Sequence, residues 1–415
     1  MVDNYKCANG VRIVHEKMIH VRSVAIGVWI EAGSADEKES ESGIAHFIEH
    51  MLFKGTKKRS ARTIAEEFDR IGGDINAFTS KEMTCFFATV LNNHAGKALS
   101  IMSDMFFNST FDKTEISKEK SVIFDEIAAV EDTPDDDVHE RLWAKMYPGH
   151  PIGRPVLGNE ETIEGFDRNL ILEFMERMYR PERIVISVAG NYDDTLIDLI
   201  DKEFGSFQAK PEKKKPLVYQ IPEFNPGVTV RTKSSEQAHL CIGFPAISLK
   251  DQRMYDLSIL DSVVGGAMSS RLFQEVREER GLAYSIYSYY SSYFNSGAFV
   301  IYGGTAPEKL EELQDTINKV IESVLKDGVT ENEVYNAKEQ LKGGFILGLE
   351  SSESRMQRNG KNELILNKHY SIDEIISFID EVKVEDVNKM ARDLFVSEQA
   401  ISIIAPEEGL KSIKF

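Results

Sequence analysis

The run Gly43-Ile44-Ala45-His46-Phe47-Ile48-Glu49-His50-Met51-Leu52-Phe53-Lys54-Gly55-Thr56 holds three side chains able to do chemistry together. Wound as an α-helix, at about 100° per residue, it brings His46, Glu49 and His50 into one narrow arc. Ile44, Phe47, Ile48, Met51 and Leu52 cover the remainder. Two imidazoles at i and i+4 can grip one metal ion, and imidazole suits zinc better than magnesium or calcium. Glu49 sits one residue before the second histidine, beside such a metal without having to bind it, which is where a general base acting on a water belongs. The order His-x-x-Glu-His inverts the commoner His-Glu-x-x-His zinc motif. The competing reading is a core helix with two hydrogen-bonded histidines. It must bury or cap a carboxylate on a helix otherwise made of Ile, Phe, Met and Leu, which is costly without a charged partner.

Several elements must position these residues. Val11 to Val14 and Val21 to Ile30 are β-branched and alternating and predict strands; the acidic, Ser-rich run from Asp36 to Ser42 can cap the helix that follows. Ser60 to Ile71 predicts a helix ended by Gly72-Gly73, and Asp74 to Ser80 with Thr84 to Leu91 predicts an antiparallel strand pair. Helical patterns follow over His94 to Phe106, Thr114 to Val130 and Asp135 to Met146, then over about Glu160 to Met178 and Asp193 to Phe204, with a strand from Arg183 to Ala189 between the last two. Glu119 and Glu126 are seven apart and share one helical face. Helical acids are usually only solvated, but a zinc helix with two histidines still lacks an acidic third ligand.

At 415 residues the chain exceeds what one hydrophobic core usually supports. The formal net charge of −19 argues against nucleic acid, whose phosphates would be repelled, and no segment is apolar enough to cross a bilayer. The N-terminal residues show neither a secretory nor a mitochondrial presequence pattern. Cys7, Cys85 and Cys241 lie far apart without Cys-x-x-Cys spacing and read as buried thiols, so the expected compartment is the cytoplasm.

Between Gln208 and Gly227, Lys210, Lys213, Lys214 and Lys215 mix with Pro211, Pro216, Pro222 and Pro226, the composition of a linker. The second half repeats the first. Ala88-Thr89-Val90-Leu91 matches Ala298-Phe299-Val300-Ile301 at an offset of 210; Ala25-Ile26-Gly27 resembles Cys241-Ile242-Gly243 and Thr114-Glu115 resembles Thr330-Glu331, both at 216. The expectation is an α+β protein of two homologous domains, 1–207 and 228–415, joined by a linker over 208–227, each a mainly antiparallel sheet packed with helices. At the offset of 210 the positions of His46, Glu49 and His50 become Asp256, Ile259 and Leu260, so the duplicate holds no metal site.

Across essentially its whole length the chain resembles the pitrilysin/insulinase family of zinc peptidases, in the short-chain branch that includes the mitochondrial processing peptidase β subunit and its bacterial homologues. The resemblance implies a zinc endopeptidase with one zinc per chain, held by His46, His50 and Glu126, the last lying 76 positions after His50. It implies Glu49 as general base and Glu119 as the acid that orients a ligand. Asp125 precedes Glu126 where many relatives have a Glu-Glu pair, and Gly265-Gly266-Ala267 is much shorter than the glycine-rich loop of the mitochondrial α subunit. Asn76, Ala77 and Phe78, within Asn76-Ala77-Phe78-Thr79-Ser80, look like the family's edge strand, to which a peptide adds as a further strand. Arg277 and Tyr284 match the Arg and Tyr that hold the scissile carbonyl. Relatives with four such domains imply a homodimer here, with Arg277 and Tyr284 of one subunit serving the zinc of the other around an enclosed peptide or unfolded segment. Two rival readings share the fold: a non-catalytic assembly core and a peptide-binding clamp.

Overall fold

The computed structural model describes residues 2–209 and 220–411; most of the expected linker, including Lys210, Lys213, Lys214 and Lys215, lies outside the described residues. The described chain forms two compact units. One draws on Met1–Ile127, Pro155–Leu217 and Leu347–Ser371, the other on Ala128–Arg154, Val218–Ile346 and Ile372–Phe415.

The first unit holds β1 (Val2–Lys6), β2 (Arg12–Lys17), β3 (Ser23–Ile30), β4 (Asp74–Thr79), β5 (Thr84–Leu91) and β6 (Ile184–Gly190), in the spatial order β1-β2-β6-β3-β5-β4. The second holds β7 (Gly227–Thr232), β8 (Ala238–Pro245), β9 (Ala283–Ser292), β10 (Gly297–Thr305) and β11 (Ala400–Ala405), in the order β7-β11-β8-β10-β9. With β1 set aside the two orders correspond strand for strand, and each sheet has one parallel pairing, β2 with β6 and β7 with β11, among antiparallel ones. This is the duplicated α+β architecture the sequence predicts. Its central strands are buried on both faces rather than alternating, as helices cover both sides of each sheet.

The helices that matter for the site are α1 (Ile44–Leu52), α2 (Lys113–Asp132), α3 (Pro134–Met146), α4 (Met254–Asp261) and α5 (Ser352–Lys361). The pattern read as one helix over Glu160 to Met178 is two, Glu160–Glu164 and Arg168–Met178. The Asp167 carboxylate accepts from Leu170 N at 2.9 Å and caps a fresh start after Gly165, so the backbone turns where the periodicity alone would continue.

The units are not the contiguous halves expected from the sequence. Helix α3, early in the chain, packs on β8 and β11 of the second unit, and α5, late in the chain, packs on β3 and β6 of the first. Both seats depend on a strand glycine. A Cβ on Gly27 would come within 2.3 Å of Met356 Sδ, and one on Gly243 within 2.6 Å of Met146 Sδ. These are the glycines of the two repeated tripeptides, so the 216-residue echo marks the places where each sheet lets its exchanged helix approach closely. On α5, Gly360 lies against the Trp29 indole, and Ser187 Oγ donates to the Met356 carbonyl at 2.7 Å. Glu16, buried beneath, pairs with Arg355 and accepts from Asn359 Nδ2 at 2.8 Å. No helix among the described residues is long and apolar enough to cross a membrane.

Candidate metal centre

Helix α1 buries Ile44, Ala45, Phe47, Ile48, Met51 and Leu52 in the first unit's core and leaves His46, Glu49 and His50 half-buried together, the segregation its periodicity predicts. Its start is built by two residues. Gly43 adopts φ 94°, a left-handed conformation, with room for no side chain because a Cβ would sit 2.6 Å from the Leu157 carbonyl. The buried Glu37 carboxylate then accepts from Gly43 N at 2.8 Å and Ala45 N at 2.9 Å, satisfying donors at a positive helix end. The acidic run before the helix does cap it, and Glu37 is the residue that does so.

Helix α2 brings its acids to α1. Among the described residues one group of potential metal donors forms, His46, His50 and Glu126, with donor atoms all within 4.8 Å of one another. His46 Nε2 lies 4.0 Å from Glu126 Oε2, and His50 Nε2 lies 3.8 Å from Glu126 Oε1. Two imidazoles and a carboxylate are a donor set that zinc takes, so His46, His50 and Glu126 are the residues that would hold such an ion. Asp125 is exposed and takes no part in the group.

Glu119, 3 % exposed, accepts from His50 Nδ1 at 2.8 Å and meets Lys54 Nζ at 2.6 Å. Burial pushes its carboxyl up, but the bonds from His50 and Lys54 outweigh this and hold it below the usual range. Because a carboxylate can only accept, His50 Nδ1 carries a proton. Burial lowers the imidazole's pKa, but the Glu119 bond and the nearby Glu126 and Glu49 carboxylates outweigh it and raise the pKa. In the neutral ring Nε2, facing Glu126, is the nitrogen left to bind a metal. Burial and the neighbouring His50 push the His46 imidazole down to about 4, keeping it neutral, the form that binds metals. His46 Nδ1 is buried with no hydrogen-bond partner among the described residues. Glu49 is not one of these donors, and the Thr79 hydroxyl donates to its Oε2 at 2.5 Å. Burial raises the Glu49 carboxyl and the Thr79 bond offsets part of that rise.

Asn76, Ala77 and Phe78 lie on β4, the outermost strand of the first sheet, paired on one side only, with β5. Arg277 and Tyr284 belong to the second unit. The Arg277 guanidinium lies 4.4 Å from the centre of the Tyr284 ring and 4.8 Å from that of Phe273, and Nη1 donates to the Tyr284 carbonyl at 3.2 Å. Tyr284 is 80 % exposed. In α4, the second unit's counterpart of α1, Ile259 and Leu260 are fully buried in its core, so no metal-binding face exists there. Lys54 and Thr79 contact Glu119 and Glu49, contacts that the motif's spacing does not reveal because the fold rather than local spacing brings them together.

A family model described as insulinase (peptidase family M16) matches residues 12–160, and one described as peptidase M16 inactive domain matches residues 165–341. An uncharacterized zinc protease of Bacillus subtilis is 51 % identical over 99 % of this chain and 100 % of its own length. An uncharacterized zinc protease of Mycobacterium leprae is 38 % identical over 97 % of this chain and 92 % of its own. A protease from Helicobacter pylori has the same fold, with a TM-score of 0.92 at 24 % identity, covering 98 % of this chain and 99 % of that one. A Pseudomonas fluorescens structure described as a peptidase M16 inactive domain superposes with a TM-score of 0.89 at 21 % identity, covering 98 % of each. With a matching metal-helix half, a matching second half and close full-length relatives, the chain belongs to the insulinase family, peptidase family M16.

Proposed function

We propose that the protein is a zinc-dependent endopeptidase acting on peptides or unfolded polypeptide segments. The observation that carries this reading is the convergence of His46, His50 and Glu126 within 4.8 Å beside a carboxylate, Glu49, that is no part of that set. A zinc ion held by those three residues, one per chain, would polarise the peptide carbonyl and acidify a water in the open fourth position. Glu49 takes a proton from the water as its oxygen bonds to the carbonyl carbon. It returns that proton to the amine nitrogen as the C–N bond breaks. Glu119 and Lys54 hold the His50 ring in its metal-facing orientation. The free edge of β4, at Asn76, Ala77 and Phe78, takes the peptide as an added strand, so backbone pairing rather than side-chain fit supplies most of the binding. Two copies pair so that Arg277 and Tyr284 of the partner subunit stabilise the oxyanion and enclose the peptide. Three buried free thiols fit a reducing compartment, the cytoplasm.

The decisive measurement pairs metal content with cleavage of a quenched peptide in wild type, Glu49→Gln and His50→Ala. Wild type and Glu49→Gln are expected to hold one zinc per chain, with cleavage only in wild type; His50→Ala is expected to lose both. Robust cleavage by Glu49→Gln would overturn the mechanism. Zinc without cleavage in wild type would favour a peptide clamp, and neither would favour an assembly core.

A further inference from the structure

We infer that Thr79 is a positioning residue for Glu49, holding one carboxylate oxygen so that the other is presented for proton transfer; this rests on the peptidase reading above. The Thr79 hydroxyl lies 2.5 Å from Glu49 Oε2, although the two residues are 30 positions apart. A carboxylate has no proton to give, so the hydroxyl donates.

The surroundings leave that hydroxyl little alternative. Its other neighbour is Thr84 Oγ1, a contact of 3.4 Å. Thr84 is fully buried and spends its own single proton on the Ala32 carbonyl at 2.8 Å. It therefore has none to offer Thr79, while the nearer and charged acceptor is Glu49. A bond to an ionised acceptor is shorter and stronger than one to a neutral hydroxyl, so the Thr79 proton is committed to the carboxylate.

The backbone that carries Thr79 is correspondingly fixed. Thr79 and Thr84 form the last pair of the β4–β5 hairpin, and Thr84 also pairs with Ile30 of β3. Beyond them Ser80 N donates to the Met83 carbonyl at 2.8 Å, and the turn is tied back by Ser34 N to the Ser80 carbonyl at 3.1 Å and Ala35 N to the Lys81 carbonyl at 2.6 Å. The β-branched side chain of Thr79 adds stiffness at χ1. A donor mounted this firmly restricts the rotation of a carboxylate whose useful geometry is narrow.

The position in β4 adds a second consequence. Thr79 directly follows Phe78 on the strand whose outer edge is read as the peptide seat. Peptide pairing and base orientation thus share one rigid strand, so substrate is placed in register with the base without any movement between elements.

The test compares wild type, Thr79→Val, Thr79→Ser and Glu49→Gln for kcat, KM, zinc retention against a chelator, and melting temperature. Thr79→Val keeps size and branching but removes the donor; it is expected to lower kcat about 10- to 100-fold with KM within about twofold and zinc retention unchanged. Thr79→Ser restores the hydroxyl and is expected to return kcat to within about fivefold of wild type. A residue that merely braced the hairpin would show the opposite pattern, with melting temperature and zinc retention falling and serine no better than valine. Should Thr79→Val not fold, Thr79→Ala carries the same expectation. Wild-type kcat in Thr79→Val, or a loss that serine does not restore, overturns the inference while leaving the peptidase reading intact. Absence of cleavage in zinc-loaded wild type sinks that reading, and this inference with it.

Discussion

Glu119 holds His50 by a 2.8 Å hydrogen bond to Nδ1, so a buried carboxylate on one helix sets which nitrogen of a histidine on another faces Glu126. The second Glu119 oxygen meets Lys54 Nζ, so each carboxylate oxygen has a partner. Glu119→Gln is expected to weaken metal binding about 10- to 100-fold and to lower turnover, while leaving the three ligands in place. Chelator competition and steady-state rates on one preparation measure both; unchanged values would mean that the His50 ring is oriented without Glu119.

Glu126 and Asp125 are adjacent acids with different surroundings. Glu126 faces both histidines, and Asp125 faces solvent. Glu126→Gln should therefore lose metal to a chelator far more readily than Asp125→Asn, whose affinity should stay within about threefold of wild type. The reverse order would move the third ligand to Asp125.

Glycines in two helices should respond to alanine with opposite signs. A Cβ on Gly360 would lie 2.2 Å from Trp29 Nε1 and 2.5 Å from Cε2, a rigid ring with no free end to swing aside. Gly360→Ala should destabilise by about 2 kcal/mol, the overpacking cost exceeding the gain in helix propensity. Gly344, in the helix Glu331–Gly348, has nothing within 4 Å of its Cβ position. Gly344→Ala should stabilise by about 0.5–1 kcal/mol. Denaturant midpoints of the two variants check both; equal shifts would mean that α5 does not seat tightly on the first sheet.

The proposed shared site predicts complementation. Glu49→Gln and Tyr284→Phe homodimers should each be nearly inactive, but after subunit exchange the mixed dimer has one site with both lesions and one with neither. Activity should then return. If each chain were self-sufficient, every site would keep one lesion, and an inactive mixture with exchange confirmed by mass would refute the sharing.

The sequence by itself determined the local chemistry and the repeat. His46, Glu49 and His50 share an arc because helical spacing is dictated by backbone geometry, and the apolar residues between them leave only one way for α1 to face the core. The strand orders of the two sheets match because the same alternation of strands and helices occurs twice. Tertiary structure decided what depends on contacts between distant segments. Spacing places Glu119 and Glu126 on one face of α2, but only packing makes one a buried partner of His50 Nδ1 and sets the other across from both Nε2 atoms. Thr79 carries no local signal of the carboxylate it holds, 30 positions away, since a hydrogen bond between residues far apart in the chain leaves no periodicity. The exchange of α3 and α5 between units was equally hidden, although Gly27 and Gly243 stood in the repeat. A strand glycine shows in sequence that something approaches the sheet, and the fold alone says which helix arrives.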